Sequence, residues 1–89
     1  MSALKGLPNI GSNIEKRLNE VGIFTAEDLI NTGSETAFIK IKTVDQSACL
    51  NMLLALEGAV QQKRWHHLNE NRKTELKEYY RLLSLLKKD

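Results

Sequence analysis

Glu57 is the only charged side chain between Gln46 and Gln62. On a helix it falls on the same side as Leu50, Leu53 and Leu54, so its carboxylate must be paired or neutralised. Catalytic acid chemistry would need a second group within hydrogen-bond reach, and none can be identified. The expected role is a structural anchor that accepts hydrogen bonds from a helix start or a basic side chain. His66 and His67 are adjacent, so on a helix they point about 100° apart. No further residues stand at metal-ligand spacing around them. Cys49 is the single cysteine. It cannot form an intrachain disulfide, no base stands near to activate it, and it reads as a small core group. Phosphate-binding glycine loops, catalytic-triad spacing and metalloprotease motifs are all missing from the sequence. The expectation is a chain with no enzymatic activity, no cofactor and no metal.

The run over residues 7–29, LPNIGSNIEKRLNEVGIFTAEDL, carries more information. Pro8 stops a preceding helix. Asn9 tolerates a left-handed backbone better than most residues. Ile10 is an apolar plug, and Gly11 is expected to allow a tight turn into the next helix. This arrangement resembles the helix-hairpin-helix motif, whose hairpin usually reads Gly-hydrophobic-Gly; here Asn9 stands at the first glycine. The second helix of such a motif begins with unpaired N–H groups and a partial positive charge. Amides at Gly11, Ser12 and Asn13 can receive a phosphate oxygen, and Lys16 and Arg17 lie one turn further on. Contacts of that kind ignore base identity. Glu15 opposes them. The competing reading is that the hairpin packs two helices tightly, with Ile10 plugging the core.

These residues must be positioned by helices. Turn signals divide the chain into about six helical segments: residues 3–7, 12–21, 25–33, 34–41, 46–62 and 69 to the end. Ile14, Leu18 and Val21 recur at helical spacing before Gly22. Thr25 and Asp28 suit a capping box, and Ser34 and Asn69 are N-cap candidates. Ala37, Phe38 and Ile41 face inward. Alternation over residues 38–44 (FIKIKTV) hints at a strand, but an isolated strand leaves its backbone unpaired. The segment over 46–62 is apolar all round and reads as a central helix surrounded by others. Gly58 within it is expected to allow close approach of another helix. Trp65 is expected to be a core or semi-buried anchor near the end of that segment. In the last segment Leu76, Tyr79, Tyr80, Leu83 and Leu86 form one stripe for the core, leaving Leu82 and Leu85 facing outward as an interaction surface.

Composition sets the outer bounds. Eighty-nine residues with 42% hydrophobic and 27% charged side chains suit one folded domain. Net charge is +2, which permits nucleic-acid binding without arguing for it. Residues 1–44 hold five basic and five acidic side chains, and residues 45–89 hold eight and six. The basic excess thus lies away from the hairpin in sequence. The start shows no signal-peptide pattern. The nearly uncharged stretch over 44–62 is broken by Asp45 and Glu57 and is too polar for a membrane span. A lone cysteine and no leader point to the cytoplasm.

The resemblance extends beyond the hairpin. LPNIG, a helix, LNEVGIFTAEDL, an AF-x-K segment, LNMLLALEGAV and KRW-x-x-L follow in order over about residues 4–76. The chain is similar to the C-terminal domain of the TfoX/Sxy competence regulators. That resemblance implies an all-helical domain with a helix-hairpin-helix start and a role in regulating natural transformation or related gene expression. Full-length regulators of that family carry an N-terminal mixed α/β domain that these residues lack, so the expectation is a free-standing copy.

Taken together, the sequence predicts an all-α, compact bundle of about five to six helices, a single domain over 1–89, with the hairpin element over about 3–31. The function expected is a non-enzymatic regulatory module that binds DNA backbone weakly and non-specifically through Asn9, Gly11, Ser12, Asn13, Lys16 and Arg17. The alternative is a protein-interaction or homodimerisation adaptor using Leu82 and Leu85, without nucleic acid. Pro8, Ile10, Glu57 and Trp65 are structural in either case, and no membrane is involved.

Overall fold

Three of the helices end at a residue with positive φ, namely Gly22, Gly33 and Gln62. A computed structural model describes Leu4 and residues 6–86. Helix α1 (Ser12–Glu20) closes on Gly22, whose φ is 87°. Gly22 N–H donates to Asn19 C=O and Ile23 N–H to Leu18 C=O, the Schellman pattern, with buried Ile23 and Leu18 as its apolar pair. Helix α2 (Ala26–Thr32) opens on a full capping box between Thr25 and Asp28. Gly33, at φ 86°, ends α2 and starts helix α3 (Ser34–Val44) with no intervening loop. Helix α4 (Leu50–Gln61) ends at Gln62, a non-glycine residue held left-handed at φ 60°. A 3-10 turn (Trp65–His67) leads to helix α5 (Glu70–Leu86), whose first turn is capped by Asn69 Oδ1 accepting from Asn71 N–H.

The fold is all-α, with five α-helices and no strand among the described residues. Residues 38–44 belong to α3. The α4 helix is central: residues 53–59 are buried without interruption, and α2, α3, α5 and the 3-10 turn all pack on it. A helix enclosed on every side must be apolar on every side, which is why its residues show no clean stripe. Leu4, Leu18, Leu29, Phe38, Ile41, Leu53, Leu56 and Leu76 are wholly buried around it.

Several boundaries and environments differ from the sequence reading. The segment expected over 3–7 lies largely outside the described residues; within them, Leu7 N–H donates to Leu4 C=O. The central helix starts at Leu50, four residues later than expected. Asp45 is the cause: its carboxylate accepts from the backbone and hydroxyl of Ser47, drawing that stretch into a turn. Lys42 seals the turn by donating to the carbonyls of Gln46 and Ala48. Cys49 consequently becomes the N-cap of α4 and is exposed, not a core group. Ser34 is not a cap either; it is buried in the first turn of α3. Leu86 is 80% exposed rather than part of the core stripe. A 17-residue α5 is about 26 Å long against about 18 Å for the 12-residue α4, so its last turns outrun their support.

Candidate functional site

The hairpin turn forms at Asn9, with φ 69°. Gly11 is extended (φ −93°, ψ −178°), so the reversal assigned to it from sequence belongs to its neighbour. Pro8 and Ile10 are half-buried, and Ile10 packs against the core. Gly11 is the N-cap of α1 and provides no side chain to cap it. Gly11, Ser12 and Asn13 are exposed, and nothing lies within 4 Å of where a Cβ on Gly11 would stand. The first amides of α1 are therefore open to solvent at the positive end of the helix.

Asn9 has a second task that the sequence did not announce. Its Nδ2 donates to Lys63 C=O at 3.0 Å, and its Oδ1 accepts from Trp65 N–H at 3.3 Å. The side chain thus stitches the hairpin to the loop after α4. Gly58 makes room for the stitch: a Cβ there would stand 2.8 Å from the Lys63 carbonyl oxygen and would overlap Nδ2 of Asn9. The close neighbour that Gly58 admits is this hairpin loop and its own chain reversal, not another helix. Lys63 N–H donates to Gly58 C=O, completing the C-terminal cap of α4. Trp65 is half-buried, stacks on His66 at 4.1 Å, and has the Lys73 ammonium 5.9 Å from its ring centre.

The two basic residues expected beside the hairpin have different surroundings. Lys16 is exposed, with no ion-pair partner among the described residues. Arg17 is committed to Asp45 at 2.8 Å and to Glu20 at 3.1 Å. The hydrogen bonds it donates to Asp45 and then to Glu20 raise its pKa above the ordinary guanidinium value. Arg17 fastens α1 to the end of α3. Lys63 and Arg64, which the sequence reading passed over, are exposed in the stitched loop with no ion-pair partner among the described residues. The KRW run was visible, but its position beside the hairpin depends on a contact between residues far apart in the chain.

Glu57 is 7% exposed and accepts from Ser34 Oγ, Gln61 Nε2 and Arg72, the last at 3.1 Å. Burial pushes its carboxyl up; the hydrogen bonds from Arg72, Ser34 and Gln61 outweigh burial and hold it below the usual carboxylate range. Arg72 also reaches Glu35 and Glu75. The network joins α3, α4 and α5, and its polarity is used internally. His66 and His67 are exposed. Among the described residues no group of three or more His, Cys, Asp or Glu could hold a metal ion, and no helix is long and apolar enough to cross a membrane. Leu82 and Leu85 are 48% and 53% exposed on the overhanging end of α5.

Fold and site define a small helical module with a hairpin turn at Asn9 and exposed leucines in the last turns of α5. The chain belongs to the TfoX C-terminal domain family, whose sequence profile matches residues 1–80. Two crystal structures are similar throughout. One is of an uncharacterized protein from Listeria monocytogenes in a triclinic form, 47% identical, with TM-score 0.90, covering 91% of this chain and 92% of that one. The other is of a protein of unknown function from Listeria monocytogenes in a tetragonal form, 48% identical, with TM-score 0.89, covering 90% of this chain and 98% of that one. No curated protein matches the chain.

Proposed function

We propose that this domain is a non-catalytic binding module that grips the phosphate backbone of duplex DNA, without sequence preference, at its hairpin end. The observation that carries this reading is the uncapped, exposed N-terminus of α1 behind Gly11, with Lys16 free one turn further on. Backbone amides and a helix dipole attract an anion and read no bases. Arg17 contributes by holding α1 against α3 rather than by touching DNA, since its charge is matched by Asp45 and Glu20. The regulatory role associated with the family would then work through weak DNA association. Titrating labelled random-sequence duplex at several salt concentrations tests this. The expected affinity is about 10⁻⁴–10⁻⁶ M at moderate salt, falling as salt rises. No binding at low salt contradicts the reading.

A second reading rests on the exposed Leu82, Leu85 and Leu86 of α5. Apolar side chains gathered on one overhanging end favour a homodimer or a partner helix. This reading places function at the opposite end of the chain and requires no nucleic acid.

A further inference from the structure

Among the described residues, five of the ten basic side chains are already committed. Arg17, Arg72, Lys73 and Arg81 are in ion pairs, and Lys42 donates to two backbone carbonyls. Lys16, Lys40, Lys63, Arg64 and Lys77 have no such partner. Two of these five, Lys63 and Arg64, lie on the loop that Asn9 stitches to the hairpin. A third, Lys16, is one turn into α1. Exposed cations on a loop tied to the hairpin turn suit a polyanion.

We infer that Lys63 and Arg64 are the main cationic contacts of the hairpin surface, and that Asn9 is the positioning residue that holds them against it. The partner is the sugar–phosphate backbone of duplex DNA, an inference that rests on the function proposed above. Hydrogen bonds hold the backbone of the loop in place. Gln62 is locked left-handed by the α4 cap, Lys63 N–H and C=O are both bonded, and Trp65 N–H is held by Asn9. Lys73 donates to His66 C=O and fastens the following turn. A loop whose backbone is already ordered loses little further backbone freedom on binding, leaving only the ordering of the Lys63 and Arg64 side chains to offset. The Asn9 side chain is occupied by the loop, so it is not itself a phosphate ligand.

The test compares salt dependence among variants of the whole chain, using labelled random-sequence duplex DNA. Three cationic contacts give a log–log slope of about −3, at about −0.9 per phosphate neutralised. Lys63→Ala with Arg64→Ala should reduce the slope to about −1, and Lys16→Ala alone to about −2. Both sites are exposed, so the fold survives. Lys40→Ala with Lys77→Ala removes the same charge elsewhere and should leave the slope unchanged. Asn9→Gly keeps the left-handed turn and gives the hairpin its usual glycine, yet deletes both stitches; its slope should fall with the loop pair still present. A wild-type slope in the Lys63, Arg64 double variant overturns this inference and leaves the hairpin reading standing. An equal loss in the Lys40, Lys77 control also overturns it, since bulk charge then explains the binding. A wild type that ignores duplex DNA at low salt, or binds only vesicles of anionic lipid, overturns the functional reading and this inference with it.

Discussion

At the scale of single residues, Gly58 and Glu57 show what helix position alone conceals. Gly58 lies inside a helix, where alanine would ordinarily stabilise by about 1 kcal/mol. Here the added methyl meets the Lys63 carbonyl and the Asn9 amide, neither of which can retreat without breaking the stitch. Overpacking of this kind costs about 1–3 kcal/mol, so Gly58→Ala should destabilise on balance by about 1 kcal/mol in a denaturant melt. A raised midpoint would mean that the loop yields easily. Glu57 predicts a pH dependence. Its folded-state pKa is depressed, so the folded chain binds fewer protons than the unfolded one across the acid range. The stabilisation is therefore complete above the ordinary glutamate value of about 4.3 and is lost as pH falls through the folded value. Glu57→Gln should cost about 2 kcal/mol near neutrality, because Arg72 and Ser34 lose a charged acceptor. The gap between variant and wild type should begin to narrow as pH falls below the ordinary glutamate value, and close only below the depressed folded-state value, where Glu57 is protonated in both states. A gap that stays constant from neutral to acid would assign the loss to packing instead.

At the scale of elements, α5 separates support from surplus. Its first half is held by buried Leu76, by Arg72 in the Glu57 network and by Asn69 at the cap. Tyr80 packs on Phe38 at 5.9 Å, and Leu83 is half-buried beside it. Beyond that point the helix outruns α4 and leaves Leu82, Leu85 and Leu86 in water. A Leu82→Glu, Leu85→Glu double variant should therefore keep the wild-type unfolding free energy within about 0.5 kcal/mol, the ordinary range for surface positions. Analytical ultracentrifugation separates the two uses of this end. A wild type that dimerises at micromolar concentration, and a double variant that does not, would support the adaptor reading. A monomeric wild type removes the homodimer. The helices themselves were legible where the signal is local: Gly22 and Gly33 marked real ends, and the Thr25–Asp28 box marked a real start. The start of α4 was not, because Asp45 draws the backbone into a competing turn that hydrophobic periodicity does not register.

At the scale of the whole molecule, the sequence divides charge by halves and the fold recombines it. The hairpin half is balanced and the C-terminal half carries the basic excess. Read along the chain, that argues against a polyanion at the hairpin. In three dimensions Asn9 brings Lys63 and Arg64 beside it, while Asp45 and Glu20 take Arg17 out of play. The turn-forming capacity of Asn9 was readable because backbone preference is local; its side-chain partners were not, because they follow from how the end of α4 meets the hairpin. Leu82 and Leu85 were readable as outward-facing because one helical wheel decides it. The central claim is that the hairpin end, comprising the α1 N-terminus and the loop after α4, is one DNA-contacting surface. The most direct test is an amide NMR titration of the domain with a short random-sequence duplex at low salt. Binding at this surface gives concerted shifts at Gly11, Ser12, Asn13, Lys63 and Arg64, with α5 beyond Tyr80 unmoved. Shifts confined to Leu82, Leu85 and their neighbours, or none anywhere, would contradict it.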